Sequence, residues 1–343
     1  MPYLPIPLLT WVGELTSGSP SGFSYLEARS DESIDYSSLR SAGARRTYYI
    51  ENGYVVRPRL LRANQCEHAV ASFREEVKPY TGYLYRQASA NPERHRFDAS
   101  RNILNSLLNP VSVNSRRFPR FRAASETLLC DDKLFAAAGE LLNEGATLVQ
   151  SMYFEANPAT WPHQDCYYLD SDRPGELIGA WIALEDIEEA AGRFYVVPGS
   201  HRMEIGRNQG YLNIAAYHEQ YKKRVYRAIR EQSLELRAPR LRCGDVLFWS
   251  SRTIHGALQS KECGYTRNSI TGHFIPSASK LMRYQCIPVS LKSERIGRNA
   301  MCRPKDQNRI LNQWMMAVES TVPRVFRFAK RKVISWKINR LAP

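Results

Sequence analysis

From about residue 147 the chain changes its periodicity, and no other feature limits its fold so strongly. "TLVQSMYFEA", "ELIGAWIALED", "GRFYVVPGS", "LELRAPRLRCGDVLFWS" and "RNSITGHFIP" are short apolar or alternating runs separated by Gly, Pro, Asn and Asp. Many short strands punctuated in this way fold as a sandwich or a barrel. One helical insertion, "AAYHEQYKKRVYRAIREQ" (215–232), interrupts them. Upstream, "RANQCEHAVASFREEVK" (62–78) carries Val70, Phe73 and Val77 at helical spacing, and "DDKLFAAAGELLNEG" (131–145) reads as a helix opened by Asp131 and closed by Gly145. "TYYIENGYVVRP" (47–58) reads as two strand-forming runs around an Asn52-Gly53 turn. The expected class is mainly β with flanking helices (α+β). Residues 1–45, rich in Ser, Gly and Pro, are expected to form an irregular arm, and 291–343 a basic C-terminal extension.

With 43% hydrophobic residues in 343, the chain has ample material for a core. Two domains would be allowed by length, but large all-β units run past about 200 residues as one domain. The opening "MPYLPIPLLTWVGEL" lacks a basic start and a small-residue cleavage site, so no signal peptide is expected. No run approaches the apolar length of a membrane span. Cysteines 66, 130, 166, 243, 263, 286 and 302 are scattered, odd in number and without a CxxC pair. That pattern argues for a reducing, cytoplasmic setting and against a disulfide framework or a cysteine zinc knuckle.

The charge is uneven. Of a net +14, seven Lys/Arg and no acid lie in the last 21 residues, and "SRRFPRFR" (115–122) adds four arginines. Such clusters attract phosphates, acidic membrane surfaces or anionic substrates, although a solvated surface explains them as well. No recognised nucleic-acid module accompanies them, so nucleic acid is not expected as a partner. In 323–343, Val325, Phe326, Phe328, Val333, Ile334, Trp336 and Ile338 interleave with the cations. Two readings of this tail stay open. It is a basic amphipathic helix resting on the acidic inner face of a membrane, or a helix packed on the domain with its basic face in water.

"WPHQD" (161–165) carries the chemistry. On a strand, His163 and Asp165 point to one face while Gln164 points away. The pair alone is weak evidence, because HxD is common. A third ligand should come from a non-adjacent strand, and His255 in "FWSSRTIHGA" follows a Gly-Asp turn and an apolar run. Two histidines and a carboxylate form the facial triad of non-haem Fe(II) oxygenases, which leaves coordination positions open. Further on, in "RNS", Arg267 and Ser269 share a face and could grip a carboxylate through the guanidinium fork.

Taken with these residues, "AWIALED" (180–186), "GRFYVVPGSHR" (192–202), "GDVLFW" (244–249) and "IHGA" (254–257) make the chain resemble the phytanoyl-CoA dioxygenase family of Fe(II)/2-oxoglutarate-dependent oxygenases over roughly 47–280. The resemblance implies a double-stranded β-helix, a jelly-roll and cupin-like core, within a dioxygenase domain at 46–290. It implies that His163, Asp165 and His255 are the iron ligands and catalytic centre, and that Arg267 pairs with the 5-carboxylate of 2-oxoglutarate, with Ser269 as a helper. Trp181 matches a pocket-lining aromatic. By position, Gln150 and Tyr153 are expected to touch the cosubstrate, and Cys166 and Tyr167 the substrate. His201 reads as a hydrogen-bonded turn residue outside the site. Ala257 stands where the family often has a serine for the cosubstrate, whereas the intact Asp165 argues against halogenation.

The implied activity uses O2 and 2-oxoglutarate to hydroxylate an aliphatic C–H, releasing succinate and CO2. A small or lipid-like substrate, anionic or carrier-linked, would suit the basic segments "SRRFPRFR" and 215–232, which are expected to form a lid. Desaturation, cyclisation or epimerisation at the same site stays open, as does a non-catalytic member that binds a metabolite or partner.

Overall fold

The alternating runs after residue 147 pair into two facing sheets. The computed structural model describes residues 28–30, 35–156, 159–205, 214–261 and 264–341. The larger sheet runs, in order, Ser293–Ile296, Asn299–Cys302, Ala146–Phe154, Ser269–Pro276, Ile178–Ala183, Val246–Ser250 and Tyr54–Arg57, with Leu107–Leu108 paired onto Ala146–Phe154. The smaller sheet runs Ala28–Ser30, Leu236–Ala238, Phe194–Val196, His255–Ala257 and Thr160–His163. Neighbouring strands in each sheet come from distant parts of the sequence, which is the winding of a double-stranded β-helix.

Strand alternation sorts the larger sheet into two faces. Ala180, Ile182, Val246, Phe248, Ile270 and Phe274 join one buried cluster with Val70, Phe121, Leu134 and Phe135, so the helices Ala63–Ser72, Pro119–Leu129 and Asp132–Leu142 cover the outer face. Trp181, Ala183, Leu247 and Trp249 face the other way and pack against Phe194 and Val196 of the smaller sheet. Ala146–Phe154 carries a bulge. His273 pairs with Gln150 but Phe274 pairs with Leu148, which leaves Val149 as the extra residue. Bulges of this kind re-aim side chains beside functional sites.

Several expectations are corrected. "TYYIENGYVVRP" is no hairpin. A helix spans Ala42–Asn52, capped by the Ser41 hydroxyl, which accepts from the Ala44 amide, and it ends at Gly53 (φ 80°). Only Tyr54–Arg57 is strand. An Asn-Gly pair favours left-handed backbone, and that conformation closes a helix as readily as it turns a hairpin. The helix also begins inside the segment expected as an arm, whose residues 1–27 and 31–34 lie outside the described ones. The extension from 291 adds two strands to the larger sheet, with Asn299–Cys302 parallel to Ala146–Phe154.

Among the described residues, neither expected lid segment lines the cleft between the sheets. In "SRRFPRFR", Phe118 and Phe121 are core residues, Arg120 pairs with Glu75 and Glu76, and Arg122 pairs with Glu126 and Asp306. The insertion forms a helix, Ile214–Glu231, kinked at Tyr217. It packs behind the 161–168 loop, where the Tyr221 ring stacks on Tyr167 at 3.6 Å between centroids. The Gln164 amide donates to the Tyr221 hydroxyl at 2.9 Å.

Gly53 joins the outer helix to the sheet, and a Cβ there would lie 2.4 Å from His201 Nδ1 and 2.6 Å from Thr253 Oγ1. With its positive φ, Gly53→Ala should cost about 1–3 kcal/mol. A fall in the denaturation midpoint at unchanged m-value is the expected outcome.

Candidate active site

His163 closes its strand and His255 opens its own, and the two strands pair antiparallel with His163 opposite His255. Directly opposed residues share a face, so both rings project into the cleft with centroids 4.4 Å apart. Asp165 follows in the turn Asp165–Tyr167 and brings its Oδ1 to 3.7 Å from His163 Nε2 and 3.6 Å from His255 Nε2. The three ligand atoms lie within 4.8 Å of one another. Atoms each about 2.1 Å from a common ion stand about 3–4 Å apart, so the triad is already close to a coordinating geometry.

Backbone carbonyls settle which nitrogens are free. His163 Nδ1 lies 2.9 Å from the Trp161 oxygen and His255 Nδ1 lies 2.9 Å from the Thr253 oxygen. A carbonyl only accepts, so each Nδ1 carries the proton and each Nε2 keeps its lone pair toward Asp165. Burial pushes the His255 pKa down to about 4 and lowers that of His163, against the pull of the Asp165 carboxylate. Burial opposes the charge on Asp165 too, but the surrounding imidazoles outweigh it and hold the carboxyl below its usual range. At neutral pH the site therefore presents two neutral imidazoles and one carboxylate.

Two residues absent from the sequence reading hold that carboxylate. Trp249 Nε1 donates to Asp165 Oδ2 at 2.9 Å, and His273 Nε2 lies 3.3 Å from the same oxygen. Oδ1 is thereby left for the ligand cluster. The indole fits only because residue 179 is glycine, since a Cβ there would lie 2.2 Å from the Trp249 ring. Nothing in "GDVLFWS" marks Trp249. His273, however, lies on the same strand face as Ser269 and Thr271, a periodicity that could have found it.

A cleft opens beside the triad, lined among others by Gln150, Tyr168, Trp181, Arg267, Thr271 and His273. Arg267 is 2% exposed, with its guanidinium 5.8 Å from the Trp181 ring centre and 5.9 Å from that of Phe154. Its Nη1 donates to the Gly192 carbonyl at 3.2 Å, but Nε has no partner and no carboxylate pairs with it among the described residues. Burial alone pulls its pKa down to about 9. A buried cation without a counter-charge is costly and favours an anionic ligand.

Of the other expected residues, Gln150 lines the cleft, 3.4 Å from His273 Nδ1, with its Oε1 buried and unpartnered. Tyr153 does not. It lies an odd number of positions from Gln150, so it faces the helices, stacks on Phe73 and donates to Asn268 Oδ1. Ser269 Oγ donates to the Arg267 carbonyl and is not among the lining residues, whereas Thr271, two further on, is. Cys166 and Tyr167 are also corrected. Strand alternation ends at Asp165, where the chain enters a 3-10 turn, so Cys166 borders a separate pocket and Tyr167 packs on Tyr221. Tyr168 and Leu169 take the cleft side. Ala257 lines it without offering a hydroxyl. His201 lies away from it, with Nε2 3.0 Å from the Ile50 carbonyl oxygen.

His95, His218 and His255 are each held at about 4 by burial, against an ordinary 6.5. Between those values the unfolded chain binds protons that the fold refuses. Stability of the metal-free protein should therefore fall as pH drops from about 6.5 toward 4, with net proton uptake on unfolding, offset in part by Asp170, which burial lifts to about 6 and which gives up a proton on unfolding. Denaturation midpoints across this window measure it; a flat profile would contradict the neutral assignment.

The family model of phytanoyl-CoA dioxygenase (PhyH) matches residues 49–262. The peroxisomal phytanoyl-CoA dioxygenase of Mus musculus is 26% identical over 304 residues, covering 83% of this chain and 81% of that protein. The Homo sapiens protein of that name is 32% identical over 123 residues, 33% of this chain and 32% of its own. Among solved structures, the non-haem alpha-ketoglutarate-dependent epimerase SnoN aligns with a TM-score of 0.55 at 17% identity, over 78% of this chain and 99% of that one. The carbocyclase SnoK aligns with a TM-score of 0.51 at 18% identity, over 74% and 88%. These structures share the fold. With its matched domain, its facing sheets and its His-Asp-His cluster, the chain belongs to the phytanoyl-CoA dioxygenase (PhyH) family of iron- and 2-oxoglutarate-dependent oxygenases.

Proposed function

We propose that the cleft holds Fe(II) on His163, Asp165 and His255, binds 2-oxoglutarate with its distal carboxylate on Arg267, and hydroxylates an aliphatic C–H of a small or lipid-like anionic substrate. The observation that carries this reading is the buried, carboxylate-free Arg267 opening onto the same cleft as the triad. A 2-oxoglutarate carboxylate supplies the charge this guanidinium lacks, and the unpartnered Nε supplies a donor. A metal held by these three residues would supply the chemistry of oxygen activation.

The chain's own groups do the rest. Trp249 and His273 fix Asp165 by its outer oxygen, and the carbonyls of Trp161 and Thr253 fix the ring orientations. Thr271 stands in the cleft and offers the hydroxyl that Ala257 cannot. Trp181 and Phe154 wall the guanidinium and keep water from it. Arg96, exposed and lining the cleft, is placed to receive an acidic group of the substrate.

Anaerobic addition of Fe(II) and 2-oxoglutarate to the apoprotein should produce the visible charge-transfer band of the chelate. His255→Ala should abolish it, and Arg267→Ala should demand roughly 100-fold more 2-oxoglutarate for the same band. Absence of the band in folded wild-type protein would overturn the reading. Once a substrate is found, mass analysis separates hydroxylation, which adds one oxygen, from desaturation or ring closure, which remove two hydrogens, and from epimerisation, which changes no mass. For an anionic substrate, Arg96→Gln should raise KM by about 10-fold with kcat little changed.

A further inference from the structure

The helices Ile310–Thr321 and Pro323–Leu341 follow the last strand of the larger sheet and pack on one another. The longer one is anchored to the domain. Lys330, Ile334 and Ile338, at successive turns, are buried, and the two isoleucines join the cluster that contains Tyr168 and Tyr221. The opposite face should then be polar. It is not: Val325, Phe328, Val333 and Trp336 are all exposed, Val325 by 70%. Lys332 and Arg340 share that face, their charges 5.6 and 5.2 Å from the ring centres of Phe328 and Trp336.

The shorter helix repeats the pattern without the charge. Ile310, Leu311, Trp314 and Val318 fall on one face and are exposed, Ile310 by 72% and Trp314 by 69%. Its one ionic residue, Glu319, is turned inward onto Lys305 at 3.0 Å. Two consecutive helices thus offer water an aliphatic and indole surface flanked by cations, with no acid after Glu319. Isolated exposed apolar residues need no explanation, but a cluster of them on each of two consecutive helices does.

We infer that this face docks on the surface of an anionic bilayer. Tryptophans and aliphatic side chains enter the boundary between headgroups and acyl chains, while lysines and arginines beside them meet lipid phosphates. A second copy of the chain is a poorer occupant, because self-packing of this face would bury cations against cations. Nucleic acid has no use for isoleucine, leucine and valine. No helix among the described residues is long and apolar enough to cross a membrane, so the contact is peripheral.

The buried face of the longer helix touches the segment that borders the cleft. Lys330 Nζ donates to Asn91 Oδ1 at 3.0 Å, and Gln87 and Ala88, a few residues before Asn91, line the cleft.

Co-sedimentation of the full chain with vesicles of phosphatidylcholine, or of phosphatidylcholine and phosphatidylserine in equal parts, tests this at low and high salt. Binding is expected to the anionic vesicles and to weaken with salt. Lys332→Gln with Arg340→Gln should lower affinity by about 30-fold. Trp314→Ser with Trp336→Ser should lower it by at least about 10-fold. All these side chains lie on the surface, and the Fe(II)–2-oxoglutarate band, which reads the cleft, should be unchanged in both variants. No sedimentation of folded protein with anionic vesicles would overturn the inference. So would equal binding to neutral vesicles that the charge variant does not weaken, or a dimer abolished by the tryptophan variant in a protein that ignores vesicles. Oligonucleotide binding in place of vesicle binding would overturn it as well.

Discussion

The register between Thr160–His163 and His255–Ala257 is the constraint on which the rest of the structure depends. Opposing His163 to His255 across one antiparallel pair places two imidazoles side by side without help from any loop. A slip of one residue would turn one of them out of the cleft. The register is held from both sides, by pairing of His255–Ala257 with Phe194–Val196 and by the Tyr221 hydroxyl behind the Gln164 amide. The helical insertion is thus better understood as a brace for the ligand loop than as a cover for the cleft.

Around this pair the interior is arranged as an electrostatic problem with one solution. Asp165 is buried, yet its outer oxygen is met by an indole N–H and approached by His273, so its charge is tolerated and its inner oxygen is directed at the histidines. Arg267 is buried with aromatic walls and a single carbonyl contact, so its charge is not compensated by the protein. The triad offers one negative charge to a divalent cation, and Arg267 offers one positive charge to an anion. On the proposed reading, a metal and a dicarboxylate cosubstrate would answer both deficits in one cleft.

Much of this was legible in the residues, and the failures have physical causes. His163, Asp165 and His255 could be read because the HxD spacing and order along the chain, taken with the family resemblance, sufficed, although Asp165 comes from a turn and not from the strand. Tyr153 was placed against the same rule, an odd step from Gln150, and the rule prevails. Cys166 and Tyr167 were misplaced because a 3-10 turn starts at Asp165 and resets which side chain faces inward. Asn52-Gly53 is ambiguous in principle, since left-handed backbone serves a hairpin and a helix end alike. Trp249 could not be read at all: its role is a contact between sheets, made available by the absence of a side chain at Gly179.

The basic segments show how charge composition misleads when burial is unknown. The arginines of "SRRFPRFR" include two pinned by four carboxylates on the outer shell, so half of that segment's charge is already answered. Lys332 and Arg340 of the last helix border apolar side chains that the fold had the chance to bury and left in water. Anchoring by Ile334 and Ile338 fixes which face of the last helix turns outward, and the outward face is the one richer in aromatics. Had the helix only to be tethered and solvated, the cheaper arrangement would put Phe328 and Trp336 inward and spread the lysines outward. The observed arrangement spends apolar surface on the solvent side, as the docking inferred above would require.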